Sequence, residues 1–134
     1  MLIKAMSFFL QVLLKYRYTM EKEKRMTVVD FFNFFTISPE YAYYIFFTNN
    51  FKKDLKKCFK RNLDLSHLAD VVKRLAKGEV LPEKYRVHRL EAYSRKNGIV
   101  MECHIQPDWL LIWVQNDNQL TLTLTDTGTH SDLF

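Results

Sequence analysis

A chain of 134 residues is long enough for one domain with a modest hydrophobic core. An apolar share of 48% and only three glycines exclude a disordered or low-complexity protein. The net charge of +5 is too small to identify a partner by itself. The two cysteines, Cys58 and Cys103, stand far apart and in no metal-binding spacing. They therefore favour a reducing compartment, and we expect a cytoplasmic protein.

Residues 1–44 carry many aromatic side chains in no consistent period. Their apolar run ends at Leu14 without a small-residue cleavage site, and it is too short to span a bilayer. We therefore expect neither export nor contact with a membrane. Residues 1–44 are predicted to be an extension outside the main domain, which covers residues 45–134. A poorly ordered segment, an upstream start and a helix added to the fold all fit this composition.

Two helices are predicted after a short apolar strand at 44–48. Residues 51–61 place their apolar side chains at positions i, i+4, i+7 and i+8, which is the spacing of an amphipathic helix. A second helix is predicted at 66–77, with Ser66 as its N-cap and Gly78 after its last turn.

Three strands are predicted in the last third of the chain, after a loop at 79–88. In LTLTLT (120–125) the alternation predicts that all three leucines share the buried face of a strand. The turn-forming NDN (116–118) predicts a hairpin between the last two strands. These strands are expected at 99–105, 109–115 and 119–125. The resulting order β-α-α-β-β-β indicates an α+β domain, with two N-terminal helices packed on a small antiparallel sheet.

The first of these helices has a basic face with a single acid, Asp54. Such a patch favours a polyanionic partner, above all a nucleic acid, although a merely solvated helix face has the same composition. The basic residues are Lys52, Lys53, Lys56, Lys57, Lys60 and Arg61.

Residues suited to acid–base chemistry concentrate near the predicted strand ends. Glu102 and His104, two positions apart, share one strand face, whereas Cys103 points to the other face and is predicted to be core. Imidazole titrates near neutral pH, so such a set suits general acid–base catalysis. No pair has metal-ligand spacing, and we predict no metal site. Each histidine taken alone also fits an ordinary structural role. The full set is His88, Glu102, His104, Asp108 and His130.

Three motifs occur in order after the helix pair: LPEKYRVHRL (81–90), ECHIQPDWLLIW (102–113) and TGTHSDLF (127–134). Together they resemble the YafQ-type toxins of the RelE/ParE superfamily, over about residues 45–134. The resemblance implies a RelE-like fold and ribosome-dependent endonucleolytic cleavage of mRNA in the A site. It also implies neutralisation by a cognate antitoxin that is encoded alongside.

The resemblance implies a role for each candidate residue. The 2′-OH of the mRNA attacks the adjacent phosphate without a metal or cofactor, with His130 as general acid and His104 or His88 as base. Asp108 and Glu102 match further active-site positions. Contacts with the ribosome and with RNA are expected from three regions: the lysines of the first helix, the loop before the first long strand, and two aromatic side chains. One of these aromatic residues, Trp109, is equally suited to the core. The expected contact residues are Lys53, Lys56, Lys57, Lys60, Arg95, Lys96, Trp109 and Phe134.

Two positions depart from the family pattern, because Met101 and Asp126 stand where the family usually has arginine. A carboxylate at Asp126 disfavours a bound phosphate, and Arg95 or Lys96 could supply the missing cation. Two alternatives therefore stay open: a RelE-like protein that binds antitoxin and ribosome without cleaving, and a basic nucleic-acid-binding module unrelated to cleavage.

Overall fold

The structure, a computed structural model, describes residues 25–35, 40–91 and 98–134. It is an α+β fold, as predicted. None of the helices in these ranges is long and apolar enough to cross a bilayer. The elements in chain order are α1 (Val28–Phe34), β1 (Tyr44–Phe47), α2 (Asn49–Lys60), α3 (Leu65–Ala76), a 3-10 helix (Glu83–Tyr85), β2 (His88–Arg89), β3 (Ile99–Gln106), β4 (Trp109–Asn116), β5 (Thr121–Gly128) and α4 (His130–Leu133).

Helices α2 and α3 begin and end within two residues of their predicted bounds. The hydroxyl of Thr48 accepts a hydrogen bond from the N–H of Phe51 at 3.0 Å and so caps α2. Helix α3 is capped by Asp64 rather than Ser66, because the Asp64 carboxylate accepts the Ser66 N–H at 3.0 Å. Gly78, with a φ of +78°, follows α3 as predicted.

The five strands form one sheet in the order β1-β5-β4-β3-β2. Neighbours from β2 to β5 are antiparallel, but β1 runs parallel to β5. The expectation of a fully antiparallel sheet is therefore wrong at this pair, because a helical connection lets strands of the same direction become neighbours, as a tight hairpin cannot. The predicted loop at 79–88 also contains the 3-10 helix and the start of β2.

The two faces of the sheet have different cover. One face packs against α2 and α3, and its side chains include Cys103, Leu111, Trp113 and Leu124. We call the opposite side the open face. It carries a small apolar cluster of Val100, Ile112 and Val114, against which Leu90 and Leu133 pack.

A bulge in β5 determines which of its side chains reach the open face. Asp126 pairs with Ile112, and Thr125 is the extra residue before the next pair, so Asp126 shares the open face with Ile112. The last two leucines of LTLTLT are buried as predicted. The prediction for Leu120 is wrong, because this residue lies in the hairpin turn with a φ of 54° and is 47% exposed.

Helix α1 lies within the segment that was predicted to be an extension. Thr27 and Asp30 form a capping box at its start. Phe31 is fully buried, and its ring centroid lies 6.1 Å from that of Phe47 and 6.0 Å from that of Phe51. Helix α1 therefore packs on the same core as β1 and α2. It stays a prediction that residues 45–134 form the domain and that residues 1–44 are an extension outside it.

Candidate active site

A cross-strand row on the open face brings together residues from four strands. His88 pairs with Glu102, Glu102 with Ile112, and Ile112 with Asp126. The Nε2 atom of His88 lies 3.3 Å from Oε1 of Glu102, whose side chain is buried. His104 follows two residues after Glu102 on the same strand face. Three of the predicted residues are thus adjacent on the sheet.

The C-terminal turn delivers His130 to the same region. His130 is the first residue of α4, and Thr129 is its N-cap. Its Nδ1 lies 3.0 Å from Oδ1 of Asp108, and its backbone N–H donates to the same oxygen at 3.2 Å. These hydrogen bonds lower the pKa of Asp108. Because the carboxylate is ionised at neutral pH, Nδ1 of His130 is the donor, and this contact leaves Nε2 available.

His104 completes a pair of imidazoles with His130. The two ring centroids are 5.8 Å apart. The Nδ1 atom of His104 lies 3.2 Å from the carbonyl oxygen of Pro107. A carbonyl oxygen only accepts, so Nδ1 carries the proton and the neutral ring has its lone pair on Nε2. Phe134 lies beside this pair, with its ring centroid 6.5 Å from that of His130.

His88 differs from the other two histidines because both of its nitrogens are engaged. Nδ1 lies 2.8 Å from the carbonyl oxygen of Arg86 and must donate to it, while Nε2 faces Glu102. His104 and His130, in contrast, have no hydrogen-bond partner at Nε2 within the part of the chain that the structure describes.

An ion pair ties the C-terminal turn to α2. The guanidinium of Arg61 donates to the carboxylate of Asp132, which also accepts the N–H of Thr129 at 3.0 Å. The hydrogen bond from Arg61 lowers the pKa of Asp132 to about 2. We call this contact the Arg61–Asp132 latch. It fixes the helical turn that begins with His130.

Two predicted residues turn away from the open face. Cys103 is fully buried on the helix side, as predicted. Trp109 is 1% exposed, and its indole N–H donates to the hydroxyl of Thr127 at 2.9 Å. The prediction that Trp109 stacks on an RNA base is therefore wrong, and Trp109 is a core residue. Met101 packs against the helix-side core, so this departure from the family pattern lies on the face opposite Glu102.

Asp126 keeps its place on the open face through a neighbour in α2. The side-chain amide of Asn50 donates to the Asp126 carboxylate. The predicted basic residues of α2, Lys53, Lys56, Lys57 and Lys60, are exposed. Arg95 and Lys96 lie outside the described residues.

Sequence reasoning did not identify Asn50, Arg61 or the two carbonyl groups that orient His88 and His104. A carbonyl group carries no sequence signal, and Arg61, the C-cap of α2, follows several other cations. Within the described ranges, no group of three or more His, Cys, Asp or Glu residues is placed to hold a metal ion.

Imidazoles and carboxylates on one open sheet face, close to a basic helix, form an acid–base site that is accessible to a polyanion. A small α+β protein with such a site has the features of a nucleic-acid-cleaving protein. Comparison with known proteins gives the family. The model for YafQ, a bacterial toxin of type II toxin–antitoxin systems, matches residues 43–134.

Relatives support the same family. The mRNA interferase toxin YafQ of Escherichia coli (strain B / BL21-DE3) is 34% identical over 89 residues, which are 66% of this chain and 91% of that toxin. A chain in the crystal structure of the E. coli DinJ–YafQ toxin–antitoxin complex is similar in fold, with a TM-score of 0.62 and 32% sequence identity. The match covers 69% of the present chain and 98% of the chain in that structure. The crystal structure of a metal-bound toxin from Helicobacter pylori matches with a TM-score of 0.60 and 38% sequence identity. This match covers 67% of the present chain and 97% of the H. pylori chain. The chain belongs to the YafQ family of type II toxins, which confirms the resemblance.

Proposed function

We propose that this chain is a ribosome-dependent mRNA endoribonuclease, the toxin of a type II toxin–antitoxin pair. The supporting observation is the His104–His130 pair, whose ring centroids lie 5.8 Å apart on the open face. Each ring is anchored at Nδ1 and is available at Nε2. Attack of a 2′-OH on the adjacent phosphate needs a base for the hydroxyl proton and an acid for the leaving 5′-oxygen. The E. coli relatives are named mRNA interferase toxins.

In this proposal His130 is the general acid. An ionised carboxylate, that of Asp108, accepts the Nδ1 proton. Such a neighbour suits a ring that carries a positive charge until it gives its Nε2 proton to the 5′-oxygen. The protein's own imidazoles carry both proton transfers in this reaction, which needs no metal ion.

His104 is the base in this proposal, in preference to His88. Its bond to the carbonyl of Pro107 leaves a lone pair at Nε2, which can take the 2′-OH proton. His88 is less suited, because its Nε2 faces Glu102. We assign to Glu102 the positioning of the His88 ring, so that this pair fixes the end of the cross-strand row beside His104.

The remaining contacts follow from exposure and charge. Lys53, Lys56 and Lys60 share one exposed face of α2 and would bind ribosomal RNA phosphates. Phe134, which is 63% exposed beside His130, would stack on an mRNA base. Because the substrate is translated mRNA, the protein would act in the cytoplasm.

A cognate antitoxin is the second partner in this proposal. The YafQ of E. coli forms a toxin–antitoxin complex with DinJ. By family membership, we propose that the product of a neighbouring gene binds this chain and blocks the open face.

The test is induced expression with and without the neighbouring gene, followed by primer extension on a translated message. We expect growth arrest and new mRNA 5′ ends that the neighbouring gene suppresses. A His130→Gln variant should give neither, whereas Ser131→Ala, in the same exposed turn, should behave as the parent. Ribosome binding without cleavage would support the non-cleaving alternative. RNA binding without ribosome dependence would support the unrelated nucleic-acid-binding module.

A further inference from the structure

A cleft of about 440 Å³ opens beyond the end of β3, between α3, the 3-10 helix and the turn that leads to β4. One residue, His104, belongs both to this cleft and to the pair with His130. The cleft therefore borders the candidate active site at His104. Its lining includes His67, Lys84, Tyr85, Arg86, His104 and Gln106.

Lys84 and Arg86 give the cleft its charge. Both side chains are exposed, and no carboxylate lies within 4.0 Å of either charged group in the described ranges. The third basic group, His67, is 3.4 Å from a carboxylate oxygen of Asp64. Two cations without a nearby counter-charge favour an anionic ligand.

The backbone at Arg86 is held in an unusual conformation. Its φ of 49° is in the left-handed region, which side chains other than glycine rarely adopt. The conformation ends the 3-10 helix, where the Arg86 N–H donates to the carbonyl of Glu83 at 2.9 Å. The Arg86 carbonyl in turn accepts from His88 at 2.8 Å. The same residue thus contributes to the cleft and orients a histidine of the candidate active site.

We propose that this cleft binds the nucleotide on the 5′ side of the scissile phosphate, with Lys84 and Arg86 on its phosphate. This inference rests on the proposed function, in which a base removes the proton from the 2′-OH of the nucleotide on the 5′ side of the cleaved bond. Because that base, His104, lines the cleft, the nucleotide in the cleft is the one on the 5′ side. The volume suits a single nucleotide. The Gln106 amide and the half-buried ring of Tyr85 can contact the nucleobase.

The probe is a tetranucleotide RNA with 2′-O-methyl groups, which cannot be cleaved by 2′-OH attack. It is titrated into the isotope-labelled full chain, and affinity is read from amide NMR shifts. We expect shifts at Lys84, Arg86 and Gln106. The Arg86→Asn variant is chosen because asparagine tolerates a positive φ, so the backbone can keep its conformation. We expect its Kd, and that of Lys84→Gln, to rise about three- to tenfold.

Two controls separate the cleft from general charge. Lys77→Gln removes one positive charge outside the cleft, at the C-cap of α3, and should leave the Kd unchanged, whereas Arg86→Lys should retain most of the affinity. Matching thermal unfolding midpoints would show that the variants are folded.

The subsite is rejected if the parent shows no binding at millimolar probe, if Arg86→Asn binds as well as the parent, or if Lys77→Gln loses as much affinity as Arg86→Asn. Cleavage of mRNA on programmed ribosomes tests the proposed function separately. A parent chain that binds the probe through Arg86 but never cleaves would keep the subsite and reject the endoribonuclease.

Discussion

The helix-covered face and the open face of the sheet are built from alternate residues of the same strands. On the helix side Cys103 is fully buried, and burial raises its pKa to about 12. The next residue, His104, points to the open face, where it is half-buried and 5.8 Å from His130 between ring centroids. One position along a strand thus separates an inert core group from a group suited to proton transfer. The contrast shows that the helices stabilise one face and leave the other available for chemistry.

The difference between the two faces can be tested most directly by a substitution on the open face that leaves the core unchanged. His130→Gln should leave the unfolding midpoint near that of the parent, because the residue is exposed and lies after the last strand. We expect single-turnover cleavage on programmed ribosomes to fall by about a hundredfold to ten-thousandfold, the usual contribution of a general acid. A folded variant that cleaves within tenfold of the parent would contradict the acid assignment.

The pattern of the helix-covered face could be predicted from sequence, and so could both main helices. Their apolar spacing is a direct consequence of burial on one side, and strand alternation placed Cys103 and His104 on opposite faces. The residues of the candidate site could be predicted only with the help of three motifs and the family resemblance.

Other features depend on register and long-range contacts, which alternation does not report. The bulge at Thr125 and the turn position of Leu120 are set by pairing with β4. An added helix was only one of three open alternatives for residues 1–44, because phenylalanines of α1, such as Phe31, become a core stripe only when packed on β1 and α2. The carbonyl of Pro107 orients His104 without any sequence signal.

A second change tests the charge on the open face. Asp126 lies in the row with Glu102, where family members usually have arginine. Within the described ranges its carboxylate accepts a side-chain hydrogen bond from the Asn50 amide alone. Asp126→Arg should therefore raise single-turnover cleavage by about ten- to a thousandfold, because a cation would stabilise the charge that develops on the phosphate.

Asp126→Asn is the matched control, since it removes the negative charge without adding a positive one and should give a smaller increase. If the arginine variant folds, binds ribosomes and cleaves no faster, another group already supplies the positive charge.

The Arg61–Asp132 latch connects the two faces, because it joins a core helix to the turn that carries His130. Arg61→Ala should lower the cleavage rate at saturating toxin about three- to tenfold, and Arg61→Lys should restore much of it. A ribosome contact would instead change the half-saturating concentration, so the two parameters distinguish a positioning role from a binding role.

The latch also predicts a pH dependence. The folded pKa of Asp132, about 2, lies below its ordinary value of 3.8. A lowered folded pKa means that the stabilisation is complete above the ordinary value and is lost as the pH falls from 3.8 towards 2. Parent and Arg61→Ala midpoints should therefore differ at neutral pH, and most of this difference should be lost by about pH 2. A difference at pH 2 as large as that at neutral pH would contradict the latch.

The basic face of α2 should change binding rather than chemistry. Reversing the charges of Lys53, Lys56 and Lys60 should weaken co-sedimentation with ribosomes and flatten its dependence on salt, because fewer counterions are released on binding. Cleavage by the ribosome-bound fraction should be close to that of the parent. An unchanged salt slope would show that this face is only solvated.

The smallest effect is expected at the thiols of the helix-covered face. Burial raises the pKa of Cys58 to about 11 and that of Cys103 to about 12, so neither forms the reactive thiolate near neutral pH. In a Cys58→Ser variant, the remaining thiol, Cys103, should react with a thiol reagent no faster than the protein unfolds. Diethyl pyrocarbonate, which modifies accessible neutral imidazoles, should meanwhile label the adjacent His104. Rapid labelling of Cys103 in the folded protein would mean that the two neighbours do not occupy opposite faces, and the register that places Glu102 and His104 on the open face would have to be abandoned.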